Sequence, residues 1–122
     1  MVQGIGVPDY GLGLLCKRMA RYHTTTGNLE QALFFQEKGT EIWLALLAAE
    51  PDNVNFKNGL ATSYLPLGQL HRDQLKDRVK ARAYIQQGYA LYEGLVRNSP
   101  DHQVFKKNYE WAKVALAGLG EG

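Results

Sequence analysis

The side chains able to do chemistry are few and dispersed. His23 and His71 stand 48 positions apart, and no Cys/His cluster accompanies either of them. To share a metal ion their rings would have to approach within about 3–4 Å, whereas packed helices lie about 8–10 Å apart. Both fall on apolar helical stripes and read as interface histidines with satisfied nitrogens; His102 reads as a solvated residue beside a helix cap. Gly4-x-Gly6 and Gly11-x-Gly13 lack a preceding strand and a third glycine at the right step, so no phosphate loop is expected. Glu37 and Glu41, one helical turn apart, suit solvation better than acid–base work. The single cysteine, Cys16, cannot form an internal disulfide and reads as a small buried hydrophobe. No metal, cofactor or catalytic residue is expected, and the chain reads as a non-enzyme.

One charge run offers a binding chemistry. Arg72, Lys76, Arg78, Lys80 and Arg82 could contact phosphate or nucleic acid, but Asp73 and Asp77 interrupt them. A formal net charge of +2 gives little general attraction to a polyanion. A solvated hairpin turn with local ion pairs is the simpler reading.

The elements that carry these residues all show helical periodicity. After a lead over 1–8, expected to be flexible, Asp9 is placed to cap a helix reaching Thr26, with Leu12, Cys16, Met19 and His23 on its apolar side. Gly27-Asn28 stops it. Leu29 to Ala49 carries a wide stripe, with Ala32, Leu33, Phe35, Gly39, Ile42, Trp43, Leu46 and Leu47, which implies burial on two sides. Pro51-Asp52-Asn53 closes it and supplies the next cap. Val54 to Gln74 presents Phe56, Leu60, Tyr64, Leu67 and His71, and Pro66 within it removes one backbone hydrogen bond and predicts a kink. Arg78 to Asn98 and His102 to Leu119 complete five helices, the latter with Phe105, Tyr109, Ala112 and Leu116. No strand signal is present.

The chain also repeats. Glu50-Pro51-Asp52-Asn53 with Phe56 returns as Ser99-Pro100-Asp101-His102 with Phe105, 49 positions later. Ala32, Gly39, Trp43 and Leu46 align with Ala81, Gly88, Tyr92 and Leu95 at the same offset. Met19-Ala20, His23, Gly27 and Leu29 are matched with Leu67-Gly68, His71, Leu75 and Val79, one residue being inserted between Leu75 and Ala81. A period in this range marks a stacked-repeat architecture, whose units bury their apolar faces against each other.

This pattern resembles the tetratricopeptide repeat: a large apolar residue and a small one, a ring three later, a glycine, an alanine in the second helix and a closing proline. The usual unit is about 34 residues, and the 48–49 here is similar to a long-helix bacterial variant, in which the stretch Phe56 to Tyr64 through Leu67-Gly68 recurs in much this form. The resemblance covers about residues 9–119, as repeats over about 9–51 and 54–100 and a terminal helix over about 102–119. It implies an all-α domain of antiparallel hairpins in a right-handed superhelix. The implied activity is non-catalytic protein–protein interaction, with the first helix of each repeat lining a concave groove.

At about 100° per residue, the groove face of the third helix is Asn58, Thr62, Leu65, Gln69 and Arg72. The repeat offsets set Tyr10, Leu14, Lys17, Arg21 and Thr24 on one side of these, and Lys107, Trp111 and Val114 on the other. This surface is mildly apolar with basic edges, suited to a protein or peptide partner of acidic character. Lys57-Asn58 and Lys106-Lys107-Asn108 are suggestive of the family's carboxylate clamp, although the longer helices change its register. Self-association through an open face of the terminal helix is an alternative, and phosphate contact through 72–82 another.

At 122 residues the chain is long enough for one continuous core. The start lacks a basic segment followed by an apolar one, and no apolar run approaches the roughly 18–20 residues of a membrane span. A cytoplasmic setting without a membrane partner is the expectation.

Overall fold

The computed structural model describes residues 9–120, and the expected N-terminal lead lies outside them. All regular structure among the described residues is helical: α1 (Tyr10–Thr25), α2 (Leu29–Ala49), α3 (Val54–Asp73), α4 (Arg78–Asn98) and α5 (Gln103–Gly120). Each helix starts on a side-chain cap that satisfies an otherwise free first-turn amide. Asp9 accepts from Leu12 N, Asn28 from Gln31 N, Asn53 from Phe56 N and Asp77 from Lys80 N, at 3.0–3.2 Å. His102 is itself the fifth cap: its Nδ1 accepts from Phe105 N at 3.3 Å while its ring stacks on Phe105. The expectation of a bystander beside the cap is corrected.

The two equivalent turns differ by one residue. Gly27 adopts a left-handed φ of 82° between Thr26 and Asn28; in the second turn Lys76 takes that role with φ of 57°. Gly27 therefore corresponds to Lys76 instead of Leu75, and Leu75 is the added residue. The cap equivalence of Asn28 with Asp77 also pairs Leu29 with Arg78, which leaves Val79 off the core face and 78% exposed.

Contacts along each consecutive helix pair run in opposite chain directions. Gly13 meets Trp43 while His23 stacks on Phe35; Gly59 meets Trp43 while Ser63 meets Thr40; Gly68 meets Ile85 while Asn58 meets Tyr92; Tyr89 meets Tyr109 while Arg82 meets Leu119. Small residues permit the approach. Ala20, Ala32 and Ala81 are fully buried, and a Cβ on Gly68 would lie 3.1 Å from the Ala81 carbonyl oxygen.

Trp43 joins three helices. It is 1% exposed, with its indole between Gly13 of α1 and Gly59 of α3 and the Tyr10 ring edge-on at 5.5 Å. Its counterpart one repeat later, Tyr92, joins α3 to α5. The Tyr92 hydroxyl donates to Asn58 Oδ1 and accepts from Asn108 Nδ2, both at 3.0 Å. Burial pushes this phenol up to about 12, with the Asn108 bond opposing slightly, so it stays neutral. Between α2 and α3 the only buried hydroxyl pair among the described hydrogen bonds, Thr40–Ser63 at 2.6 Å, lies close to the Gln36 carbonyl. Buried polar groups satisfied in this way fix the register of one helix on another.

Periodicity placed most of the core, with two corrections. Leu12 is 45% exposed, because no described helix covers that side of α1. Leu65, expected on the groove, is 7% exposed and fills the space over Gly88, which has no side chain of its own. As the phase of its stripe implies, α3 continues through Pro66 without a break.

The histidine expectation is also corrected in one respect. His71 is buried between helices and stacked on Tyr84, as His23 is stacked on Phe35, but neither His71 ring nitrogen has a hydrogen-bond partner, nor does His23 Nδ1. Burial pushes its pKa below the ordinary value, Lys80 adds to this, and Asp77 and Glu37 oppose it. A histidine with a lowered folded-state pKa binds fewer protons folded than unfolded. Its stabilising effect is complete above the unfolded value of about 6.5 and is lost as pH falls below it. Thermal melts should therefore drop between pH 7.5 and 5.5, and His71→Phe should flatten that drop. Removing two unsatisfied buried nitrogens should also add about 1–3 kcal/mol near neutrality.

Candidate partner-binding cleft

A cleft of about 470 Å³ opens between α1, α3 and α5, with part of α2 as its floor. α1 contributes Lys17, Arg21, Thr24 and Thr25; α3 contributes Thr62, Leu65, Pro66 and Gln69; Trp111 and Asn108 form the α5 wall, and Gln36 reaches in from α2. Sequence periodicity assigned seven of these residues to one surface: Lys17, Arg21, Thr24, Thr62, Leu65, Gln69 and Trp111. Gln36, Thr25, Pro66 and Asn108 were not among them. Gln36 had a signal, being an amide set inside the apolar stripe of α2.

Lys17 dominates the electrostatics. It is half-buried, its ammonium donates to Thr62 Oγ1 at 2.5 Å, and it lies 5.6 Å from the Trp43 ring centroid. Thr62 can accept because its own proton is directed to the Asn58 and Gly59 carbonyls. Burial, and then the neighbouring Arg21, lower the Lys17 pKa. Among the described residues no carboxylate lies within ion-pair distance of Lys17 or Arg21. A desolvated cation in this position is stabilised by any anion that enters. Pro66 has no N–H to give the Thr62 carbonyl, four residues earlier, so α3 lacks one backbone hydrogen bond beside the cleft. On the opposite wall Trp111 is half-buried, and the Arg72 guanidinium sits 5.7 Å from its ring centroid.

The remaining expected groove residues lie elsewhere. Tyr10 packs on Trp43 and Phe56. Asn58 is tied to Tyr92, as is Asn108, so both amides of the suggested clamp serve the fold. Leu14, Lys107 and Val114 are exposed outside the cleft, and Arg72 forms a two-bond ion pair with Asp73. That hydrogen-bonded partner raises the arginine and holds the Asp73 carboxyl below its ordinary range.

The basic run is largely engaged within the molecule. Besides the Arg72–Asp73 pair, Arg78 and Arg82 both donate to the Leu119 carbonyl and fasten the end of α5 to the start of α4. Among the described residues no cluster of three or more metal-binding side chains occurs, and no helix is long and apolar enough to cross a membrane. No family model matches the chain, and no curated protein or solved structure matches it.

Proposed function

We propose that this domain is a non-catalytic binding module of tetratricopeptide-like design that holds an extended acidic segment of a partner protein in the α1–α3–α5 cleft. The observation that carries the reading is Lys17: a half-buried ammonium without a carboxylate among the described residues, set beside Arg21 and above a hydroxyl. A glutamate or aspartate side chain supplies the missing charge. Trp111 offers an apolar wall for a neighbouring side chain. The internal duplication supports the family likeness, since His23–Phe35 and His71–Tyr84, and likewise Trp43 and Tyr92, occupy equivalent places.

Calorimetric titration with a short peptide of alternating glutamate and leucine tests this. Lys17→Met keeps the aliphatic stem and removes the charge, so affinity should fall tenfold or more, in keeping with about 1.5–3 kcal/mol for a charge-assisted bond. Trp111→Ala should weaken binding similarly, and because the half-buried ring also packs against the core it should cost about 0.5–3 kcal/mol of stability. Equal binding by wild type and Lys17→Met would contradict the proposal. A loss of about a thousandfold between 50 and 200 mM salt would instead indicate a polyanion held by many charges.

A further inference from the structure

The duplication makes one exposed face interpretable. At the 48-residue offset, Leu12, Leu15, Met19 and Tyr22 of α1 correspond to Leu60, Ser63, Leu67 and Leu70 of α3. On α3 these positions are 3%, 4%, 1% and 6% exposed, with α2 covering Leu60 through Trp43 and Leu46 and Ser63 through Thr40. On α1 three of the four are open, Leu12, Leu15 and Tyr22 at 45%, 51% and 59% exposed, and Met19 is half-buried. Leu15 in place of Ser63 makes this face more apolar than its covered counterpart. We infer that the outer face of α1 is a docking site for an amphipathic helix from a partner protein, lying as α2 lies on α3, with an acidic flank.

The charge follows from α1 itself. Lys17 and Arg21 face the cleft, Arg18 lies toward this outer side, and the helix contains no acidic residue. Arg18 borders the apolar stripe directly. The internal helix that covers the equivalent face, α2, carries Glu30, Glu37 and Glu41 against Lys38 alone. A second copy of the chain fits poorly. Two α1 helices back to back would bring like charges together with no acid to answer them. Head-to-tail stacking would set the stripe on the outer side of α5, where Glu110, Lys113 and Ala117 are exposed beside Val114. The large residues of α5 (Phe105, Tyr109 and Leu119) are turned onto α4, so the open end of the stack is at α1.

The test uses two fluorescein-labelled, helix-stapled peptides, residues 29–49 (net negative) and 78–98 (net positive), titrated into the whole chain by anisotropy. The acidic peptide should bind saturably and the basic one at least tenfold more weakly. Leu15→Asp and Tyr22→Asp, both at exposed positions, should each weaken the acidic peptide at least tenfold with unchanged melting curves. Arg18→Glu should narrow or reverse the preference between the peptides, and Lys113→Glu on α5 should leave it alone. Absence of saturable binding, or equal binding to Leu15→Asp, would overturn the proposal. So would a wild-type dimer in light scattering that Leu15→Asp converts to monomer, since a second copy would then be the occupant.

Discussion

Trp43→Ala should lower the unfolding free energy by about 3–5 kcal/mol, the range for truncating a fully buried aromatic. The physical reason lies in where the void forms. The indole is enclosed by two glycine-bearing helix backbones, at Gly13 and Gly59, and neither can collapse inward without moving a whole helix. The same substitution removes contacts of α1, α2 and α3 together, because Trp43 is the side chain shared by all three. Against a typical domain stability of about 5–15 kcal/mol this is a large fraction. Urea unfolding followed by circular dichroism measures it directly. A loss below about 1 kcal/mol would mean that α1, α2 and α3 are held together by something else.

Gly59→Ala should also destabilise, against the ordinary rule. In an exposed helix interior this exchange favours the helix by about 0.5–1 kcal/mol. At Gly59 the new Cβ would fall 2.6 Å from Trp43 Cδ2 and Cζ3, and the indole has no free side to move toward. Overpacking of this kind costs about 1–3 kcal/mol and should reverse the sign. Gly94 is the internal control, since a Cβ there meets nothing within 4 Å. Gly94→Ala should stabilise by about the helix-propensity difference. Opposite signs for the two substitutions in paired urea titrations are the expected outcome; the same sign would place the Trp43 ring elsewhere.

The duplicated spacing carried most of the fold. Asp9 was visible as a cap, and Asn53 as one of two candidates beside Asp52, because a short oxygen-bearing side chain before an apolar stripe has few other uses. Lys17, Thr62, Gln69 and Trp111 were visible as one surface because helical geometry puts each opposite its core stripe and the tetratricopeptide resemblance, with the repeat offsets, sets their helices side by side. What one helix in isolation cannot show is its neighbour. Leu65 points away from Phe56, yet the glycine at position 88 opens a space that only the packed pair reveals. Leu12 carries the same pattern as Leu60 but has no covering helix among the described residues. His102 was underrated as a cap because its ring nitrogen is a less common acceptor than a carboxylate or amide oxygen. Asn58 and Asn108 looked free until Tyr92 was seen to lie between them.

The most direct test of the binding proposal is a map of amide and indole chemical shifts during titration with the glutamate–leucine peptide. The account predicts saturable changes centred on Lys17, Arg21, Thr62, Gln69 and the Trp111 indole N–H. Changes confined to the outer faces of α2 and α4, or none that saturate, would contradict it.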